Sequence, residues 1–227
     1  MSETTDMPGH QAGASALDRA VEAFGRGEPV CVHDAADREG ETDLIYPASA
    51  VTPAAVARLR NDAGGLVCVA LDHDVADAFD LPFYTEAVDH PAAADHELGY
   101  DDRSSFSLTV NHRDTYTGIT DSDRSLTIRE LADAAFDPNA ADFAERFRTP
   151  GHVHLLKGAP NGVAQREGHT ELGLALADAS DIAPAVVVCE MLDDETGEAT
   201  TPADARAYAS RHDLVYLEGS EIVEQLG

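Results

Sequence analysis

The chain has 227 residues, with 43 Asp and Glu against 15 Lys and Arg, for a formal net charge of −28. A surface this negative repels nucleic-acid backbones and anionic membranes, which excludes both as partners. It points instead to a salt-rich cytoplasm, where screening keeps the self-repulsion tolerable, and so to an extreme halophile.

The hydrophobic fraction of 43% is that of a globular chain. Lys157 is the sole lysine. Cys31, Cys68 and Cys189 all lie in apolar runs and read as reduced core thiols, too few for a disulfide framework. No apolar stretch approaches the length of a membrane span, and no basic-plus-hydrophobic leader opens the chain.

Residues 1–13 are small and polar and read as a loose tail, leaving residues 14–227 as one domain. Leu17, Val21 and Phe24 share a helical face that stops at Gly25 and Gly27. Val30-Cys31-Val32 and Leu44-Ile45-Tyr46 read as strands around a polar loop. Thr52-Pro53 opens a second helix and Gly64-Gly65 closes it, followed by a strand over 66–71. The stretch 72–102, rich in Asp, His and Ala, is an excursion with no clear period. A strand over 105–111 follows, and Thr127 with Glu130 forms a capping box for a helix over 128–135. Next come a strand over 153–156, a turn at Asn161-Gly162, a helix over 170–179 and a strand over 186–190. Thr201-Pro202 opens a further helix, and a strand over 215–218 ends the series. The alternation predicts an α/β (α+β) fold, a single domain with a mixed β-sheet layered between helices.

Two polar runs stand out from the acidic background. Arg38-Glu39-Gly40-Glu41-Thr42-Asp43 joins two strands, and an extended loop there would bring Glu39, Glu41 and Asp43 to one side. Carboxylates so placed repel one another unless a cation neutralises them. Arg166-Glu167-Gly168-His169-Thr170-Glu171 adds a metal-ligand type in His169 and a phosphate fork in Arg166, just where a helix starts. Together they suggest a metal site that handles a small phosphorylated anion. A phosphosugar sensor without chemistry, or another metal-dependent phosphosugar lyase or isomerase, would fit these two runs as well. His73, His90, His96 and His112 sit in acidic, loop-rich surroundings and read as surface residues. His154 shares a strand side with His152 and reads as its neighbour.

Beyond these runs, Leu66-Val67-Cys68, Tyr116-Thr117-Gly118-Ile119-Thr120 with Asp123-Arg124, Pro150-Gly151-His152-Val153 and Cys189-Glu190 occur in that order. Taken together, the chain from about residue 17 to 217 resembles the 3,4-dihydroxy-2-butanone 4-phosphate synthases of riboflavin biosynthesis. Gly40 and Thr42 depart from the Asn and Gly common in that family, and Asn161-Gly162 from its Gly-Gly, but the charged positions remain. The resemblance implies conversion of D-ribulose 5-phosphate to the four-carbon ketone phosphate and formate. It implies magnesium, with manganese as a substitute, held by Glu39 and His169. Substrate contacts would come from Arg38, Glu39, Asp43, Cys68, Thr117, Arg166, Glu167, Gly168, His169, Thr170 and Glu190. His152 and Glu190 would be catalytic, with Glu41 a further candidate. A homodimer with its sites at the interface is implied, with Pro150-Gly151-His152 crossing over. Because the chain ends at Gly227, the resemblance implies a monofunctional member without a GTP cyclohydrolase II domain.

The charge generates a first prediction. Lowering salt from 1 M to 0.1 M lengthens the Debye distance from about 3 Å to about 10 Å, so surface carboxylates begin to repel across the molecule. Thermal stability should fall as KCl is removed, and magnesium should restore part of it by binding only the native state. A melting temperature unchanged between molar and millimolar KCl contradicts this.

Overall fold

The computed structural model describes residues 14–34, 38–93, 98–99, 101 and 103–227. The 1–13 tail, Ala36-Asp37 and His96 lie outside these. Helix α1 (Ala16–Gly25) starts at a capping box between Ser15 and Asp18, and buries Leu17, Ala20, Ala23 and Phe24. Val21, expected on that inner face, is only half-buried.

The strands are β1 (Val30–His33), β2 (Thr42–Pro47), β3 (Cys68–Leu71), β4 (Phe106–His112), β5 (Phe147–Lys157), β6 (Ala185–Val188) and β7 (Val215–Glu218). They form one sheet in the order β4-β5-β3-β6-β2-β1-β7. Pairs β1–β7 and β3–β5 are parallel and the rest antiparallel, so the sheet is mixed, as expected.

Alternate strand residues feed two cores. Cys31, Leu44, Tyr46, Val69, Val153, Leu155 and Val187 face one side. There they meet α2 (Pro53–Arg58), α5 (Asp121–Ala134) and α8 (Pro202–Arg211). Val30, Val32, Ile45, Cys68, Ala70 and Val186 face the other, against α1, α7 (His169–Ala179) and α9 (Gly219–Leu226). Each fully buried Leu, Ile or Phe contributes about 1.5–3 kcal/mol, so both faces are firmly covered. All three cysteines are buried free thiols.

Several elements differ from the sequence reading. The helix expected over 128–135 begins seven residues earlier, because the Thr120 hydroxyl accepts the Asp123 N–H and caps α5. Thr127 is thus mid-helix, where its buried hydroxyl accepts the His112 N–H and donates to the Asp123 carbonyl. Strand β3 begins only at Cys68, since the Leu66 N–H is taken by the Glu190 carboxylate at 2.8 Å. Strand β6 stops at Val188, and Glu190 continues it through a single bridge to Asp43.

Strand β5 runs six residues further back than expected and contains Pro150-Gly151 rather than following a turn there. Its register pairs Asn111 with Arg148 and Val110 with Val153, so residues 149–152 stand out as a bulge. Gly151 is required at that bulge, because a Cβ would overlap the Val110 backbone. Four helices escaped the sequence reading: α3 (His73–Ala78), α4 (Tyr84–Ala87), α6 (Ala140–Arg146) and α9. The first three are short, and α9 opens on a Glu218–Glu221 capping box in which no Ser or Thr flags the start.

His90 is exposed as expected. His112 is not: it is buried, with its ring edge-on to Phe147 at 5.5 Å. His73 is half-buried, its Nδ1 3.0 Å from the Gly158 carbonyl. Lys157 closes β5 from the inside, pairing with Asp77 and donating to the Leu81 carbonyl at 3.1 Å. No helix among the described residues is long and apolar enough to cross a membrane.

Candidate active site

The carboxylate-bearing loop is a turn, not an extended segment. Asp34, at the end of β1 and buried, accepts the Glu41 N–H at 2.9 Å and the Glu39 N–H at 3.3 Å. Gly40, with φ 67°, reverses the chain between them in a region that favours glycine. This fold brings Glu39 and Glu41 to one cavity, while Asp43 enters β2 with only 1% of its surface exposed.

Opposite Asp43 across its bridge stands Glu190. Glu190 is clamped from behind, where its carbonyl accepts the Gly65 N–H and its carboxylate the Leu66 N–H. A Cβ on Gly65 would lie 2.5 Å from that carboxylate, so the glycine makes room for it. His169, the first residue of α7, completes the cluster. Its Nδ1 is 3.1 Å from Glu39 Oε2 and 3.5 Å from Asp43 Oδ2, yet neither approach makes an aligned hydrogen bond.

The charges are unbalanced here. Burial pushes the Asp43 carboxyl up to about 8. Burial opposes charge on His169, but Asp43, Glu39 and Glu190 outweigh it and raise the imidazole to about 10. Burial together with Glu190 and Glu39 raises Glu41 as well. Glu39 goes the other way: burial is outweighed by His169, Arg166 and Arg38, so it ionises more readily than usual.

Arginines line the other end of the cavity. Arg38 and Arg166 converge over Gly168, where a Cβ would collide with the Arg166 guanidinium and press on that of Arg38. Arg166 Nη1 bonds the buried Glu171 carboxylate at 2.6 Å. No side chain caps the start of α7 at Gly168, and the Thr170 hydroxyl is buried without a partner. A helix start with spare N–H groups beside two guanidinium groups suits an anion.

The cavity holds about 300 Å3 and is lined by Arg38, Glu39, Glu41, Cys68, Arg166, His169 and Glu190, among others. Cys68 meets it with 1% exposure, and burial together with Glu190 holds its thiol well above the usual range, so it is a protonated wall residue. Glu167 points to solvent and does not line the cavity. Neither do Thr117 and His152, which are exposed and meet through Asn111 instead. Asn111 donates to the Thr117 carbonyl at 3.4 Å and accepts the His152 N–H at 2.8 Å. The anticipated site residues therefore fall into two groups within one chain.

Sequence reasoning missed Asp34, Asp101, Arg103 and Ser104. Asp34 carried a weak signal, an acid directly after a strand and before the charged loop. Asp101 lies in the stretch without periodicity, and Arg103 and Ser104 fall between it and the strand expected from 105, where nothing marked them. The site residues do fit a divalent cation. Arg38 Nε, both Asp43 oxygens, His169 Nδ1 and Thr170 Oγ1 are buried without a hydrogen bond. Asp43, His169 and Glu190 also present ligand atoms within 4.8 Å of one another. Polar atoms left bare inside a protein call for an ion or ligand.

A family model described as 3,4-dihydroxy-2-butanone 4-phosphate synthase matches residues 18–225. The synthase of that name from Methanosarcina mazei is 46% identical over 221 residues, covering 92% of this chain and 90% of the relative. That from Methanothermobacter thermautotrophicus is 42% identical over 216 residues, covering 92% and 94%. A crystal structure of a 3,4-dihydroxy-2-butanone 4-phosphate synthase in complex with two magnesium ions superposes with a TM-score of 0.74 at 32% identity, covering 92% of this chain and 95% of that one. The chain belongs to the 3,4-dihydroxy-2-butanone 4-phosphate synthase family and is an enzyme of that class.

The Asp43–His169 pair makes a pH prediction. Asp43 keeps a proton in the native state up to about 8, whereas its ordinary value is 3.8. His169 likewise keeps one up to about 10 instead of 6.5. The two groups titrate as one coupled pair, so between about pH 6 and 8 the native, metal-free protein binds more protons than the unfolded chain, and stability falls as pH rises. Urea midpoints in EDTA should decline across that window, and Asp43→Asn should flatten the decline. A midpoint that rises with pH refutes the assignment.

Proposed function

We propose that the chain converts D-ribulose 5-phosphate to L-3,4-dihydroxy-2-butanone 4-phosphate and formate. The observation that carries this is the polarity of the cavity: guanidinium groups and a bare helix start at one end, and bare carboxylates with an imidazole at the other. A small phosphorylated ketose has that same polarity, a phosphate at one end and a polyol ketone at the other. The conversion balances without an external oxidant, since one carbon leaves oxidised as formate while the terminal carbon becomes a methyl.

In this reading Arg38, Arg166 and the Thr170 hydroxyl hold the phosphate, and Asp43 accepts from sugar hydroxyls. Glu39 and His169 hold the cation, with Asp43 and Glu190 near enough to share it. Bound there, magnesium, or manganese in its place, would supply the positive charge that acidifies the C–H beside the ketone. The proton chemistry belongs to the chain. Glu190, fixed by the Leu66 N–H, is placed to take the proton from carbon in the enolisation. Glu41, held toward its protonated form, can return one to the departing hydroxyl. A rearrangement of the carbon skeleton then precedes formate loss. Cys68 packs against the substrate as an apolar wall.

A homodimer reconciles the two groups of site residues. His152 is exposed at the bulge over 149–152; Leu66 and Tyr84 share a groove with Thr149 and Pro150, and the exposed Tyr116 and Ile119 flank the Thr117 segment that meets His152 through Asn111. A second copy would cover that surface and insert its His152 into this cavity as a proton shuttle. The residues 14–227 act as a single synthase domain, and the acidic surface suits the cytoplasm of a halophile.

Formate release from ribulose 5-phosphate in concentrated KCl tests the reaction. EDTA should abolish turnover and magnesium restore it, and His169→Ala should lower kcat at least about a thousandfold without unfolding the protein. Interconverted pentulose phosphates without formate would show an isomerase, and binding without turnover a sensor.

Subunit exchange tests the assembly. His152→Ala and Glu190→Ala are each expected to be inactive. In a mixed dimer both lesions fall in one site and the other is intact. With random pairing about half the dimers are mixed, so activity should return to about a quarter of wild type. Were both groups supplied by one chain, mixing would restore nothing.

A further inference from the structure

The anion seat is already filled by the chain itself. Asp101 Oδ2 accepts from Arg166 Nε at 2.6 Å and from Arg38 Nη2 at 3.1 Å, so one carboxylate oxygen bridges both guanidinium groups. The contact is well covered, with the Asp101 side chain 9% exposed and that of Arg166 12%. Glu171 neutralises Arg166 from the other side. Two guanidinium groups thus face two carboxylates, which offset much of their positive charge before any ligand arrives.

A phosphate monoester carries about −1.5 to −2 charges at neutral pH. It gains less from a seat so neutralised, and the Glu39 carboxylate repels it from the far end of the cavity. One of the two internal carboxylates has to give way. Glu171 is fixed in α7, fully covered, with its second oxygen accepting the Ala159 N–H at 2.9 Å. Asp101 is the more accessible of the two, its side chain keeping 9% of its surface open where that of Glu171 keeps none. Arg38 also keeps a buried Nε without a hydrogen bond, so Asp101 satisfies its guanidinium only in part.

We infer that Asp101 is an internal stand-in for the phosphate, seated between Arg38 and Arg166 in the free protein and displaced when the substrate's phosphate binds. This rests on the reading of those arginines as the phosphate contacts. Held by Asp101, the two guanidinium groups stay oriented toward the seat instead of turning to Glu39 and Glu41. The same contact makes the seat selective, because an anion must bring more charge or more acceptors than one carboxylate to displace it.

Isothermal titration with inorganic phosphate, together with KM for ribulose 5-phosphate, tests this on the full-length protein. Asp101→Asn removes the competing charge at nearly constant shape. It should bind phosphate roughly tenfold more tightly, the equivalent of about 1.4 kcal/mol, and lower KM in parallel. Asp101→Ala should act in the same direction, because loss of the charge is what matters. Free Asp101→Asn should also melt below wild type and regain the difference in saturating phosphate. Arg38→Gln is the control and should weaken phosphate at least tenfold. If Arg38→Gln weakens phosphate while both Asp101 variants bind it no better than wild type, Asp101 merely positions the arginines; the seat stands and its displacement is refuted. If Arg38→Gln leaves phosphate binding unchanged, the seat lies elsewhere and both readings fall.

Discussion

The organisation of this molecule depends on an excess of carboxylates around a single imidazole. Glu39, Asp43 and Glu190 act on His169 from a turn, a strand and a strand extension that are far apart in sequence. Gathering them costs solvation and mutual repulsion, which His169 offsets only in part, because both Asp43 oxygens stay without a hydrogen bond. A cation among these groups would offset the rest. The local architecture serves that purpose: β2 sits between β1 and β6, so Asp43 faces Glu190, and α7 starts where its first side chain meets both. Gly65 and Gly168 matter because a Cβ at either would press on the groups that define the site.

Scarce basic residues are shared in a similar way across the molecule. Arg146 reaches Glu130, Asp133 and Asp142, and Arg60 with Arg124 holds Asp121. Exposed pairs of this kind contribute at most about 1 kcal/mol each and weaken in salt. Their value in so acidic a chain is to spread few positive charges over many carboxylates. At the site the same economy places Arg166 between Glu171 and Asp101, where burial makes the pairing count for more.

The fold class and most strands were legible because β1, β2, β3, β6 and β7 are short apolar runs with clear turns between them. Regular patterning failed where tertiary contacts set the limits. Thr127 resembles a cap from its neighbours alone, but α5 extends past it because Thr120 makes the cap and the Thr127 hydroxyl serves His112 on β4. His112 resembles a surface residue beside Arg113 and Asp114, yet the aromatic core at Phe147 draws it inward. Arg38, Glu39, Glu41, Asp43, Arg166, His169 and Glu190 come together in space because the two charged runs and Glu190 lie at or near the ends of β1, β2, β6 and α7, which the sheet order makes neighbours. Asp101 and Arg103 lay beyond reach, because neither periodicity nor a motif distinguishes them from other charges on an acidic chain.

The two ends of the cavity differ in how firmly they are built. Asp43 lies within β2, His169 opens α7, and Glu190 is tied by the Gly65 and Leu66 N–H groups, so the cation end rests on regular structure. Arg38, Glu39 and Glu41 ride on a turn, and Asp101, Arg103 and Ser104 on irregular backbone. Proton transfer at carbon demands fixed geometry, whereas a phosphate gripped mainly by charge tolerates movement of its partners. An enzyme that must admit a flexible sugar phosphate and then hold one of its carbons against a base is served by this division. In the proposed reading, the end built on regular structure would fix where the chemistry happens, and the end built on charge would take the phosphate.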